Sequence, residues 1–412
     1  MRASSQRIKE DVEAIARFTA RGPGVNRLSF SPEHLEAIRY VEQQLRPLGF
    51  EMQMTPHGNV RFRRQQDGWD RPAVMVGSHL DAVPNGGRFD GVAGVVAAVE
   101  VARLLHESRE ALARPYEVVV FAEEEGARFG GVLTGSQAMV GRLSRDRARE
   151  LRDAQGTSYL EALGALGVDT AAWEEAVIRP GDVCAYLELH VEQSLVLEQE
   201  HVPVGIVTAI AGIRKYQVTY RGVANHAGAT PMDLRHDSLV GAAEAILAVS
   251  EVAASSPEGP AVATVGWISN SPNVSNVIPG ETRFSLDVRD TDPVRLARAS
   301  EALLARIRDI GARRGLEVAV EQTAATEPVR MSTRVREGLR QAAREAGIPF
   351  LEMPSGAGHD AQEMARVTDA GMIFVPSEGG RSHCPEEFTR YEDIALGSEI
   401  LYRAVLKLGK HK

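Results

Sequence analysis

Ser78-His79-Leu80-Asp81 and Gly87-Arg88-Phe89-Asp90-Gly91 put an imidazole and a carboxylate at the end of an apolar run and in the loop behind it. Both are good ligands for a divalent cation. Glu125, His190 and His383 stand in similar positions, each after a short apolar run. Singly, each has a plainer reading. A strand-end histidine is usually a hydrogen-bonded structural residue, Asp90-Gly91 is turn sequence, and Glu123 to Glu125 is a solvated acidic run. Together the plain readings fail. An acidic triplet directly after Val118-Val119-Val120-Phe121-Ala122 is an odd way to end a buried strand unless something positive lies nearby. Five ligand-type residues in strand-end contexts point to a two-metal hydrolytic centre, in which paired cations activate a water. Asp81 is a carboxylate placed to fix the tautomer of His79.

The elements that must gather these residues are legible. Ala73 to Gly77, Glu117 to Phe121 and Val183 to Leu189 read as buried strands, and Val92 to Glu107 as a helix. Such alternation implies a mostly parallel sheet with helices on both faces, and ligands gather outside the carboxyl ends of its strands. Residues 140–182 are a more polar, helical excursion. From 212 the pattern changes: strand Lys215 to Tyr220, helix Ser238 to Val252, strands Ala261 to Ile268 and Thr282 to Val288, helix Pro293 to Gly315, strand Glu317 to Glu321. That β-α-β-β-α-β order is ferredoxin-like. Helix Thr333 to Ala346 and strand Met372 to Val375 then return to the first pattern. The expected architecture is α/β: a discontinuous catalytic domain, 1–211 with 327–412, and an inserted α+β domain, 212–326.

Composition narrows the class. The chain has 412 residues, 43% hydrophobic, with 47 basic and 56 acidic residues and a net charge of −9. No basic excess is available to track phosphates, so a nucleic-acid partner is not expected. Val92 to Leu105, the longest apolar run, contains Glu100 and Arg103 and is too short to cross a bilayer. Met1 to Phe18 reads as a charged amphipathic helix without a signal-peptide core. Two distant cysteines, Cys184 and Cys384, make no disulfide framework and fit a reducing compartment. A cytoplasmic location is the expectation.

Seven segments carry a resemblance. Gly-Ser-His-Leu-Asp (77–81), Asn-Gly-Gly-Arg-Phe-Asp-Gly (85–91), Glu-Glu-Glu-Gly-Ala-Arg-Phe (123–129) and Glu-Leu-His-Val-Glu-Gln (188–193) are the first four. Asn-His-Ala-Gly-Ala-Thr-Pro-Met (225–232), Ser-Gly-Ala-Gly-His-Asp-Ala (355–361) and Ser-His-Cys-Pro-Glu-Glu (382–387) follow in order. They resemble the N-carbamoyl-L-amino acid hydrolases, a group that includes allantoate amidohydrolase and β-ureidopropionase, among the aminoacylase and carboxypeptidase G-like metallopeptidases.

The resemblance implies that Asp90 bridges two divalent metals, with His79 and His190 completing one site and Glu125 and His383 the other. Zn, Mn, Co or Ni would suit these ligands. It implies that Glu124 is the general base and that Arg289 and Asn276 hold the substrate carboxylate. Gln193 would read the ureido group and His359 face the substrate. His226 would stabilise the oxyanion, reaching across from the inserted domain of the partner in a homodimer. That domain would serve as lid and dimer interface. His190 sits where related peptidases carry a carboxylate, which favours the ureido branch. No family role falls to Glu123, or to His34, His57, His106, His201, His236 and His411.

The expected reaction is hydrolysis of the carbamoyl C–N bond of an N-carbamoyl-L-α-amino acid, giving the amino acid, ammonia and carbon dioxide. Allantoate is the alternative substrate, then carbamoyl-β-alanine. A metal-bound, non-catalytic binding protein on the same fold is the reading from a different class.

Overall fold

The computed structural model describes residues 1–254 and 261–410. Its backbone contacts divide the chain into one unit of residues 1–208 with 331–412 and another of residues 209–330. The second is slightly wider than the expected 212–326, because it takes in the ladder that pairs Ala209 and Ile210 with Arg330 and Val329. His411 lies outside the described residues.

The first unit is built on a nine-stranded sheet. Four strands run parallel at its centre, in the order Tyr116–Phe121, Ala73–His79, Val183–Val191 and Ala370–Val375. All are mostly apolar and almost wholly buried, as strands covered on both faces must be, with Glu117 and Glu188 buried among the apolar residues. The flanks are antiparallel: Val60–Arg64 pairs with Tyr116–Phe121, and Gly205–Ile210 pairs with Ala370–Val375. The helix Val92–Ser108 packs on this sheet and beneath helices Ser5–Ala16 and Tyr391–Leu408. Two charges interrupt its apolar length. Glu100 is buried and takes the Arg7 guanidinium at 2.6 Å, and Arg103 meets Asp11 at 2.6 Å.

The second unit is a curled antiparallel sheet backed by the helices Ser238–Ala254 and Pro293–Arg313. Strand Gly212–Arg221 lies between Glu281–Asp290 and Glu317–Thr326. The expected single strand 261–268 is two pieces, Val262–Thr264 and Ile268–Ser271, paired to the same partner strand. Residues 265–267 stand opposite only 285–286, so the break is an extra-residue bulge.

Candidate metal centre

The carboxyl ends of the four parallel strands converge. His79 ends one strand, and Asp81 and Asp90 follow it. Glu123 to Glu125 follow the strand ending at Phe121. His190 is the penultimate residue of its strand, Gln193 follows it, and His383 follows the strand ending at Val375. Asp90 is the hub. Its Oδ1 lies 3.1 Å from His190 Nε2 and 3.4 Å from His79 Nε2. Its Oδ2 lies 3.2 Å from His383 Nε2 and accepts from Gln193 Nε2 (2.7 Å) and Ser382 Oγ (2.9 Å). Glu125 Oε1 is 3.6 Å from His383 Nε2.

The ligand atoms of His79, Asp90 and His190 all lie within 4.8 Å of one another, and so do those of Asp90, Glu125 and His383. The first group is buried. The second is partly open, with His383 exposed. His79 and His190 each set Nδ1 3.0 Å from a backbone carbonyl, of Asp81 and Val191. That contact places the proton on Nδ1 and turns the Nε2 lone pair toward the carboxylates. His79 Nε2 and Glu125 Oε1 are buried without a hydrogen-bond partner among the described residues. Burial opposes charge on His79 and His190, yet the facing carboxylates, Glu124 and Asp90 foremost, raise both imidazoles above their usual range. Hydrogen bonding to Asp90, with Glu125 nearby, raises His383 to about 9. The site is short of positive charge, and its donor set of imidazole and carboxylate fits divalent cations.

Asp81 does more than neighbour His79. Its carbonyl holds the His79 ring, while its carboxylate accepts from the backbone N–H groups of Glu124 (3.3 Å) and Glu125 (3.1 Å). One residue thus joins two strand ends. Glu124 stands with Oε2 3.7 Å from His79 Nε2. Burial, with Glu125, Asp360 and Asp90 nearby, raises its carboxyl well above the usual range against the pull of His79. Glu123 turns away. Its backbone is left-handed (φ 53°) and its Oε1 accepts from the N–H groups of Arg128 and Phe129. It therefore closes the 123–129 loop. His359 differs from its expected substrate-facing place. It is buried, its ring centroid 4.5 Å from that of His190 in an edge-to-face contact, with Nε2 2.9 Å from Ser355 Oγ.

The remaining expected site residues belong to the second unit. His226 and Asn276 are neighbours there: Val277 pairs with His226 across a short ladder, and the Ala227 N–H donates to the Asn276 carbonyl at 2.9 Å. His226 is exposed, and its Nδ1 accepts from the N–H groups of Gly228 (3.1 Å) and Ala229 (3.2 Å). Two donors on Nδ1 leave the proton on Nε2, so the outward nitrogen is a donor. Arg289 is elsewhere. It sits near the far end of Glu281–Asp290 from this ladder, its fork on Asp287 at 2.9 and 3.1 Å. At roughly 3.4 Å per residue the strand sets Arg289 about 27 Å from Glu281, the end nearer Asn276 in the chain.

Residues 75–407 match the sequence profile of peptidase family M20/M25/M40. The chain belongs to that family. An N-carbamoyl-L-amino acid amidohydrolase of Geobacillus stearothermophilus is 41% identical over 387 residues, 94% of each chain. An allantoate amidohydrolase of Bacillus subtilis is 36% identical over 404 residues, 97% of each. The crystal structure of a hydantoinase/carbamoylase family amidase from Burkholderia multivorans superposes with a TM-score of 0.93 at 33% identity, covering 100% of this chain and 99% of that one.

This M20 chain also holds its centre with residues that the motifs alone did not single out. Glu387 accepts from the N–H groups of Phe89 (2.8 Å) and Asp90 (3.1 Å) and from Ser382 Oγ (2.7 Å). It fixes the hub carboxylate's backbone and the loop carrying His383 together. Arg27, fully buried, donates to the carbonyls of Leu80 (2.5 Å), Ile15 and Phe18 (both 3.0 Å). Glu387 lay inside a quoted motif and Arg27 in none, and a bond to a distant backbone has no local sequence signature. The leftover histidines are structural or exposed. His34 Nδ1 accepts from Phe30 N–H, His57 Nε2 meets the Trp173 carbonyl, and His236 Nδ1 lies 3.2 Å from the Arg314 carbonyl. His106 and His201 are exposed.

Proposed function

We propose that this M20 protein hydrolyses the carbamoyl C–N bond of an N-carbamoyl-L-α-amino acid. The observation that carries the reading is Asp90 shared by two ligand groups, with Glu124 beside them and relatives of that name along nearly the whole chain. His79, Asp90 and His190 would hold one divalent ion, and Asp90, Glu125 and His383 a second. Zn, Mn, Co or Ni suits these donors. Bound there, such ions lower the pKa of a water and polarise the substrate oxygen.

The chain's own residues do the rest. Glu124 removes a proton from the attacking water and delivers it to the departing nitrogen. The Nε2–H of His226 donates to the oxyanion. Gln193, whose Oε1 has no partner, accepts from the ureido N–H. Arg289 and Asn276 take the substrate carboxylate, the arginine by its fork. His359 buttresses the His190 ring. The products are the amino acid and a carbamate that breaks down to ammonia and carbon dioxide.

Homodimerisation and the supply of His226 from a partner subunit belong to this proposal. The second unit exposes Leu247 at 68%, Val262 at 63% and Trp267 at 47%, and Ile268 is also exposed. Strand Ile268–Ser271 is a sheet edge. An exposed apolar edge is a surface that a second copy covers. No described helix is long and apolar enough to cross a membrane, and Cys184 and Cys384 are unpaired; a cytoplasmic location accords with both.

Allantoate is the second reading, favoured by the Bacillus subtilis relative at similar identity. A non-catalytic role is disfavoured by the intact Glu124. Ammonia release decides among them, measured on N-carbamoyl-L-amino acids, their D-enantiomers, allantoate and carbamoyl-β-alanine. Turnover of the L-carbamoyl compounds above the rest is expected; release from allantoate alone overturns the substrate assignment, and release from none overturns the activity. Chelation should abolish turnover, and added Mn, Co, Ni or Zn restore it.

A further inference from the structure

The amino-terminal end of the catalytic unit's parallel strands, opposite the metal centre, carries a second feature. A cleft of about 510 Å³ opens between the 64–67 turn, the end of helix Val92–Ser108 and the 109–116 connection. Arg64, Arg109 and Arg114 line it, with His106 beside them and Leu105, Leu112 and Tyr116 as apolar walls. Tyr116 opens the strand whose far end leads to Glu123 to Glu125. Six residues of strand set the cleft roughly 17 Å or more from that acidic triplet, so it is no part of the metal centre.

The state of the arginines singles the cleft out. Arg7, Arg61, Arg63, Arg103, Arg128, Arg336 and Arg340 each meet a carboxylate. Arg64 and Arg114 meet none among the described residues. Arg64 Nε and Nη2 and Arg114 Nε are buried with no hydrogen-bond partner. The Arg64 guanidinium is held in place by the Phe50 ring, 5.4 Å from its centroid. Against three guanidiniums the lining sets Asp67 and Glu110, and Glu110 is already matched by Lys410 at 3.3 Å. A buried guanidinium nitrogen without an acceptor is costly, and Arg64 and Arg114, with the exposed Arg109 beside them, set three positive charges around one concavity, a field that favours an anion.

We propose that this cleft binds a small oxyanion, a phosphate or carboxylate group, through Arg64, Arg109 and Arg114. The guanidinium fork matches both groups with paired charge-assisted hydrogen bonds, and about 510 Å³ leaves ample room for either.

Isothermal titration of the metal-loaded, full-length protein with inorganic phosphate, and separately with succinate, tests this. Sodium chloride at equal ionic strength is the control. Saturable binding of at least one anion is expected, and which of the two binds tells phosphoryl from carboxylate recognition. The affinity should fall about tenfold or more in Arg64→Gln with Arg114→Gln. Phosphate held at the metal centre would persist in that variant, so only the arginine-dependent component counts. Arg109→Gln, at an exposed residue, is the variant that leaves folding intact and should weaken binding in the same direction. Turnover without added anion should stay at the wild-type rate in all variants. Absence of saturable binding, or binding that none of the substitutions weakens, overturns the proposal.

Discussion

The role proposed for Glu124 makes two demands: its carboxylate must lie close to the residues that would hold the cations, yet stay free to carry a proton. It stands 3.7 Å from His79 Nε2 while Asp81 grips only its backbone. Glu124→Gln should therefore leave metal content unchanged and lower turnover by about 10²- to 10⁴-fold. Metal analysis beside a rate assay checks this; a variant that loses its metal, or still turns over, removes Glu124 as the base. Gly91 makes the complementary case. Its φ is +67°, and a Cβ there would come within 2.5–2.6 Å of three ring atoms of His79. Gly91→Ala pushes a ligand ring aside without touching a ligand. Metal affinity by competition with a chromophoric chelator should drop about tenfold or more, and unchanged affinity would mean that the loop yields and the ring does not.

Strands and loops show what local sequence encodes. The four central strands were visible as apolar runs because parallel strands covered on both faces need nothing else. His79, Glu125 and His190 were visible because strand ends are where such sheets gather ligands. The flanking strands Phe50–Met54, Val60–Arg64 and Gly205–Ile210 were not foreseen; in Val60–Arg64 the charges of Arg61 and Arg63 break the apolar run, and Glu117 neutralises them across the ladder. Arg27 and Glu387 escaped for a related reason. Their partners are backbone groups of remote loops, which no spacing records. The assigned roles of His226, Asn276 and Arg289 rested on the family resemblance, since an exposed histidine and an arginine already bound to Asp287 are ordinary by themselves. Arg27 offers a test at this scale, because it ties the end of helix Ser5–Ala16 to the His79–Asp81 turn. Burial lowers its pKa to about 10, with Asp81 pulling the other way. Arg27→Leu leaves the Leu80 and Phe18 carbonyls without a donor, Ile15 keeping the Phe18 N–H, and should cost about 3 kcal/mol, a fall in Tm of roughly 4 °C. Arg27→Lys should recover little, since one ammonium cannot span three carbonyls. Full recovery by lysine would reduce the role to charge alone.

For the whole molecule, acid stability and assembly are the quantities to argue. His57 is buried, bonded through Nε2 to the Trp173 carbonyl with Nδ1 unpartnered, and burial lowers its pKa to about 4. Above pH 6.5 it is neutral folded or unfolded and contributes no pH dependence. Between about 6.5 and 4 the unfolded chain takes a proton that the folded chain refuses, so stability falls as pH falls, by up to about 3 kcal/mol. His57→Gln should be less stable than the parent at pH 7, and that gap should narrow in thermal melts toward pH 4; a constant gap would clear His57 of the acid sensitivity. Assembly turns on a distance inside the second unit. His226 lies in a short ladder with Asn276 beside it, while Arg289 lies near the far end of strand Glu281–Asp290, so a single copy of this unit does not bring all three to one small substrate. Two copies do so if Arg289 serves its own active site and His226 with Asn276 serves the partner's. An equimolar mixture of His226→Ala and Glu124→Gln subunits, dissociated and reassembled, should then regain about a quarter of the wild-type activity per site. Half the dimers would be mixed, and each would hold one site with both Glu124 and a partner's His226. Mixtures that stay as inactive as their parents, with heterodimers demonstrated by mass, would place His226 in its own subunit's site or outside catalysis altogether.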